Sequence, residues 1–260
     1  MTVVGTVAPA GAVAADPGVR FAFSDAADGN MSLTVGDADG DARRRLGASL
    51  GVAPQDLVFM QQVHGSGVAV VGSGDRGRGL ADHASGVPSV DALVTFDADV
   101  ALAVLVADCV PVLLSDPGRA VAAVHAGCGG VEHGVVAATV AAIAPPAPAR
   151  VQAVIGPAIG GCCYEVEPEL AERVAADVPA ARATTTWGTA ALDLPAAVAA
   201  QLRSAGVSDV RQVGGCTRCD GRRWFSHRRA PGRGRQAGAV VRSSSVAPAA
   251  DRRGGGERHA

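Results

Sequence analysis

Three short stretches place a soft or borderline metal ligand beside glycine or at the end of an apolar run. They are Gln61-Gln62-Val63-His64-Gly65, Ala107-Asp108-Cys109-Val110-Pro111 and Val124-His125-Ala126-Gly127. Two imidazoles and one thiolate are a sufficient protein ligand set for a catalytic zinc ion, which keeps a fourth position for water or substrate. The three residues are far apart in the chain, so spacing alone does not bring them together. A lone His or Cys on an apolar strand is more often a packing residue than a ligand. The same residues admit another chemistry, in which Cys109 is a nucleophile with His125 as its base.

Cys216-Thr217-Arg218-Cys219 is the only CxxC, and Cys162-Cys163 is the obvious second pair for a structural zinc site. Adjacent cysteines rarely chelate one metal, so the sequence favours small buried residues or a redox-sensitive pair here. Gly127-Cys128-Gly129-Gly130 runs from a strand toward a helix start, where backbone N–H groups can cradle an anion. Glycine also serves tight turns without any ligand. Ser226-His227-Arg228-Arg229 and Gly234-Arg235-Gln236 form a cationic cluster, and 12 of the 23 Arg lie between positions 211 and 258. Arginine suits bidentate contacts to phosphate, and a solvated basic face is the competing reading. With Trp224 and Phe225 as the only interleaved aromatics, a nucleic-acid strip is disfavoured.

The elements that must carry these residues show most clearly in mid-chain. Val100–Ala107 is a continuous apolar run, as in a fully buried strand, and Val110–Leu114 continues it after Asp108-Cys109. Asp116-Pro117-Gly118 is a turn signal followed by a further apolar run, Ala120–Val124. Together these predict a hairpin of buried strands with Cys109 and His125 near strand ends. Gly134–Ile143 reads as a helix stopped by Pro145-Pro146. Asp41–Leu50, with Asp41 as N-cap, Glu167–Ala176 and Pro195–Ala205 read as further helices. The Gly-rich stretch 72–87 reads as a surface loop. Helices and strands without a strict βαβ rhythm favour an α+β domain over a doubly wound one.

Composition bounds the function. The chain of 260 residues is 48% hydrophobic and 18% charged, ordinary for a globular protein able to bury a sizeable core. A formal charge of −2 predicts no bulk attraction to nucleic acid or an anionic membrane. Every basic residue is Arg and none is Lys, a compositional bias that weakens the meaning of any single Arg. No basic leader precedes an apolar segment, and no run approaches the roughly 18 apolar residues of a membrane span. Six Cys are too sparse for a disulfide scaffold. The expectation is a soluble, cytoplasmic protein. Residues 1–16 read as a flexible leader, 17–242 as a single domain and 243–260 as a disordered tail.

The motifs also occur in a familiar order. Gln-Val-His-Gly, Asp-Ala-Leu-Val-Thr at 91–95, Ala-Asp-Cys-Val-Pro-Val-Leu-Leu at 107–114 and Val-His-Ala-Gly at 124–127 resemble the laccase-domain purine nucleoside phosphorylase family. Members have also been labelled multicopper polyphenol oxidases. The match continues through Ile155-Gly-Pro-Ala-Ile, Cys163-Tyr-Glu-Val, Gly215-Cys-Thr, Phe225-Ser-His-Arg-Arg and Gly234-Arg-Gln-Ala-Gly, covering roughly 18 to 242. The resemblance implies an α+β fold, a layered α/β/β/α sandwich with mixed sheets, like the deamidase domain of cytotoxic necrotizing factor toxins. It implies zinc (Zn2+) bound by His64, Cys109 and His125 in a surface pocket, with Arg228, or else Arg229, facing substrate or phosphate. The implied reaction is phosphorolysis of adenosine to adenine and ribose 1-phosphate. Inosine, guanosine and methylthioadenosine are related substrates, and hydrolytic adenosine deamination is a further activity. Some members are assigned instead to editing of peptidoglycan precursors.

Two cations of the family pattern are missing. Many members read Gly-Trp-Arg-Gly where this chain has Gly127-Cys128-Gly129-Gly130, and Phe23-Ser24-Asp25 leads to Ala26 rather than Arg. The familiar Gly-Gly-Val-Ser and Ser-Leu-Asn-Leu-Gly stretches are reduced to residues 29–36. These departures bear on phosphate affinity more than on metal binding. They leave a weakly active or non-enzymatic zinc protein as an alternative. Copper-dependent phenol oxidation needs a His-rich ligand set that six His, with His259 in the tail, supply poorly.

Overall fold

Strands that are apolar on both faces must be covered on both sides, and here two mixed sheets stack between helices. The computed structural model describes residues 2–4, 18–144 and 147–244. In chain order the strands are β1 (Thr2–Val4), β2 (Val19–Phe23), β3 (Leu57–Phe59), β4 (Val68–Val71), β5 (Ala92–Thr95), β6 (Ala101–Val106) and β7 (Val110–Asp116). There follow β8 (Ala120–Ala126), β9 (Gln152–Ile155), β10 (Arg182–Thr184), β11 (Ala190–Leu192), β12 (Asp209–Gln212) and β13 (Gln236–Arg242). The helices are α1 (Ala42–Leu50), α2 (Cys128–Glu132), α3 (Val135–Ile143), α4 (Pro168–Asp177) and α5 (Leu194–Ser204). One sheet has the order β1-β2-β13-β6-β3, the other β12-β9-β7-β8-β5-β4, and β10-β11 form a separate ribbon. Each large sheet contains both parallel and antiparallel pairs, such as β3 with β6 and β13 with β6.

The period of two along β6 explains its unbroken apolar run. Leu102, Val104 and Val106 enter the core between the sheets, while Ala101, Ala103 and Leu105 pack toward α1. In β8, Val121 and Ala123 face the inter-sheet core, and Ala120, Ala122 and Val124 face the helical layer with α3 and α5. Burying each of the larger side chains, such as Leu102 or Leu113, contributes about 1.5–3 kcal/mol. The arrangement is therefore the expected α/β/β/α sandwich, an α+β fold.

Several local expectations are corrected. The hairpin comprises β7 and β8 only, paired from Val110↔Ala126 to Asp116↔Ala120. The run before it, β6, pairs with β13 and β3 in the opposite sheet. Ala107-Asp108-Cys109 is thus a crossing between sheets. Asp41 makes no side-chain cap on α1. Instead the Asp39 carboxylate accepts the Asp41 N–H at 3.0 Å. By contrast, Asp193 caps α5 by accepting the Ala196 N–H at 2.9 Å. Residues 2–4 of the expected leader pair with β2. The rest of that leader, Pro145-Pro146 and the tail from 245 lie outside the described residues.

Candidate metal centre

His64 lies in the loop between β3 and β4, at φ 62, a left-handed conformation that costs a non-glycine residue about 1 kcal/mol or more. Two devices hold it there. The Gln62 carboxamide pairs with the Leu105 backbone in both directions, donating at 2.7 Å and accepting at 2.9 Å. The fully buried Asp91 carboxylate accepts the backbone N–H groups of Val63, His64 (2.9 Å) and Gly65 (2.7 Å). Charge-assisted bonds of this kind are stronger than neutral ones and offset the strain. Cys109 is delivered by the inter-sheet crossing, where Asp108 also takes a positive φ of 92. His125 sits in β8 opposite Pro111 and is completely buried.

These three side chains converge. Their ligand atoms all lie within 4.8 Å of one another, and the His64 and His125 rings meet edge to face at 4.7 Å. Asp91 Oδ1 is 2.8 Å from His125 Nδ1. Burial opposes ionisation of Asp91, but hydrogen bonds from His125, Gly65 and His64 outweigh it and hold its carboxyl below the usual value. An ionised Asp91 accepts only, so His125 Nδ1 keeps its proton, and Nε2 is the nitrogen that gives its lone pair to a cation once its own proton is displaced. That Nε2 is buried and has no hydrogen-bond partner. An orphaned buried polar atom costs about 1–3 kcal/mol unless a partner meets it. One thiolate, one oriented imidazole and a second imidazole are a donor set that fits zinc.

Electrostatics prepare the thiol for such a role. Burial disfavours the Cys109 thiolate, yet interaction with His125 and His64 prevails and lowers the thiol to about 6. Burial likewise disfavours a charged His125, but Asp91 and Cys109 raise it to about 9. Gly127 forms the floor of the cluster: a Cβ there would stand 2.9 Å from His64 Cδ2 and 3.2 Å from Cys109 Sγ.

The cluster opens into a cavity of about 450 Å³, large enough for a nucleoside-sized ligand. His64 and Cys109 line it together with Tyr164, His227, Arg228 and Arg235. Arg228 lies over the Tyr164 ring at 4.8 Å and donates from Nη1 to the Glu165 carbonyl at 2.7 Å. Its backbone N–H is fixed on Asp108 Oδ2 at 2.7 Å. Arg229 points elsewhere, donating to the Thr217, Arg218 and Trp224 carbonyls. Burial pushes the Tyr164 phenol up to about 12, so it remains a neutral donor. Burial, with the charge of Glu132, also raises the Cys128 thiol, so this cavity-lining cysteine is not a ready thiolate.

The structure thus brings His64, Cys109 and His125 together and places Arg228 on the same cavity. Sequence reasoning assigned no role to Asp91, Tyr164 or His227. The signal for Asp91 was its position at the head of the Asp-Ala-Leu-Val-Thr motif; Tyr164 likewise stands inside Cys163-Tyr-Glu-Val. Cys162-Cys163 and the CxxC, which the sequence does not bring together, converge in the structure, with all four sulfurs within 4.8 Å of one another. Among the described residues no helix is long and apolar enough to cross a membrane.

Comparison with known proteins gives concordant relatives. A family model described as multi-copper polyphenol oxidoreductase laccase matches residues 20–243. A purine nucleoside phosphorylase of Streptomyces coelicolor is 48% identical over 240 residues, covering 86% of this chain and 95% of that protein. An adenosine deaminase from an unknown prokaryotic organism is 34% identical over 200 residues, covering 73% of this chain and 76% of its own length. The crystal structure of YlmD from Geobacillus stearothermophilus superposes with a TM-score of 0.79 at 33% identity, covering 88% of this chain and 93% of that one.

Proposed function

Because the chain belongs to the multi-copper polyphenol oxidoreductase laccase family, most of its length being matched by that family's model, we propose that it is a zinc-dependent purine nucleoside phosphorylase. It converts adenosine and phosphate to adenine and ribose 1-phosphate, accepts inosine, guanosine and methylthioadenosine, and hydrolytically deaminates adenosine. The relatives named purine nucleoside phosphorylase and adenosine deaminase support this reading. The observation that carries it is the unpartnered, buried Nε2 of His125, set with Cys109 and His64 beside a nucleoside-sized cavity that Arg228 lines.

His64, Cys109 and His125 hold the metal. A zinc ion on one thiolate and two neutral imidazoles would supply net positive charge and Lewis acidity at the cavity wall. Asp91 fixes the His125 tautomer and the His64 loop together, so one carboxylate sets two ligands. Arg228, held by its backbone on Asp108 and by its side chain on Glu165, offers the other N–H groups of its guanidinium edge to phosphate oxygens. Arg235 is a second cation on the same cavity. Tyr164, neutral because of burial, and the exposed His227 line the same cavity and are the candidate donors to a departing purine. Copper-based phenol oxidation is not proposed. Among the described residues, the candidate metal clusters contain only two His. Free thiols suit a reducing, cytoplasmic setting.

The test is to incubate metal-quantified protein with adenosine, with and without phosphate, and separate the products. Adenine formed only with phosphate, at zinc stoichiometry, supports the phosphorylase; inosine alone restricts the enzyme to deamination. No product with stoichiometric zinc overturns the reading, in favour of precursor editing or a non-enzymatic zinc protein. A second reading rests on the lowered Cys109 thiol beside a raised His125, the pattern of a nucleophilic cysteine. Iodoacetamide that alkylates Cys109 equally fast before and after chelation would favour it.

A further inference from the structure

A second cluster lies outside the centre described above. Cys162 and Cys163 occupy a turn after β9, and Cys216 and Cys219 belong to the loop between β12 and β13. Their four sulfurs lie within 4.8 Å of one another. Cys219 Sγ is 3.4 Å from Cys163 Sγ and 3.8 Å from Cys162 Sγ. In a tetrahedron with zinc–sulfur bonds of about 2.3 Å, the sulfur–sulfur edge is about 3.8 Å. Four sulfurs at this spacing are too many for one disulfide, and none is bonded to another. We infer that Cys162, Cys163, Cys216 and Cys219 form a structural, tetrahedral zinc site.

The surroundings supply what such a site requires. Four thiolates around zinc leave a net charge of −2, which needs donors and cations nearby. The Gly160 N–H donates to Cys216 Sγ at 3.3 Å, and the Arg229 guanidinium is anchored on the carbonyls of Thr217 and Arg218 between the CxxC cysteines. Loss of four thiol protons on binding gives the soft, all-sulfur donor set that selects zinc over harder divalent cations.

The site would tie two loops that build the cavity wall. Thr217, inside the CxxC, donates its N–H to Ala158 O at 3.0 Å and its hydroxyl to Asp108, the residue before Cys109. Tyr164 follows Cys163 directly and carries Arg228 on its ring. A zinc ion here closes a loop of about fifty residues and fixes the positions of Asp108, Tyr164 and Arg228 without touching substrate. This inference is independent of the phosphorylase reading.

The experiment uses the full chain with the first centre removed by His64→Ala and His125→Ala. After gel filtration in a chelator buffer, metal is quantified, zinc X-ray absorption is recorded and thiols are titrated with an organomercurial. The expected result is one zinc per chain, a sulfur-only shell at about 2.3 Å, and release of zinc on mercurial addition with a fall in melting temperature. Metal-free protein with reactive thiols, a mass lowered by disulfide formation, bound iron, or nitrogen or oxygen in the shell would each overturn it. Should that double variant not fold, Cys219→His in the otherwise native chain decides the matter. Loaded with cobalt, it should shift the thiolate-to-cobalt absorption relative to wild type; identical spectra refute the site.

Discussion

Replacing Asp91 by Asn keeps size and shape but removes one acceptor from a site that needs both. Oδ1 takes the His64 N–H at 2.9 Å and His125 Nδ1 at 2.8 Å, while Oδ2 takes the Gly65 N–H at 2.7 Å. If the new amide nitrogen stands at the Oδ2 position, it confronts the Gly65 N–H. If it stands at Oδ1, it confronts the His64 N–H and drives His125 to the tautomer with hydrogen on Nε2. Either orientation leaves a buried N–H unsatisfied, at about 1–3 kcal/mol. Loss of such an orienting partner lowers metal affinity about 10–100-fold, which equals about 1.4–2.8 kcal/mol, so the two routes agree. The assay is zinc affinity by competition with a chromophoric chelator, alongside the His125 tautomer in nitrogen-15 NMR. Zinc affinity within twofold of wild type in a folded Asp91→Asn protein would refute the role given to Asp91. The sign of the pH effect follows from the depressed Asp91 pKa. Its stabilisation is present above the ordinary carboxylate value, about 3.9, and is lost as pH falls through the lower folded value. Asp91→Asn should therefore flatten the acid limb of stability against pH, measured by urea unfolding.

Gly127→Ala is compatible with the backbone at φ −77 but sets a methyl 2.9 Å from the His64 ring. It should weaken zinc binding by about tenfold with little change in melting temperature, read by chelator competition and calorimetry. Arg228→Ala should raise the phosphate KM about 10–100-fold, as expected for loss of a charge-assisted contact of about 1.5–3 kcal/mol, while zinc content stays unchanged; an unaltered KM would remove Arg228 from the phosphate site. Thr217→Val strips the hydroxyl that satisfies buried Asp108. At about 1–3 kcal/mol, it should lower the melting temperature by about 2–12 °C.

Much of the fold was legible locally. The apolar runs of β6, β7 and β8 and the Asp116-Pro117-Gly118 turn follow from burial on two faces and from turn chemistry. Helices α3, α4 and α5 were placed to within one or two residues by their apolar spacing and by Pro and Gly at their ends. The sheet to which each strand belongs was not legible. Val100–Ala107 and Val110–Leu114 read as neighbours in one hairpin, yet they lie in opposite sheets. A strand covered on both faces looks the same whichever sheet holds it. The Asp41 cap failed for a related reason, since Asp39 offered its carboxylate to the same turn and only loop geometry chose between them.

The sequence by itself determined the donor types: two imidazoles and a thiolate at strand ends, a CxxC, and arginines rather than lysines for any anion. It also determined the alternation of apolar residues that makes two sheets with helices outside them. Tertiary structure alone decided which donors meet. Asp91 reaches His125 across 34 residues and Cys162 reaches Cys219 across 57, distances over which no local pattern constrains the backbone. Sheet register sets the first of those meetings, because β5 pairs Ala92 with Val124 and so brings Asp91 beside His125. A shift of one residue in that pair would turn His125 to the opposite face and scatter the His64–Cys109–His125 cluster.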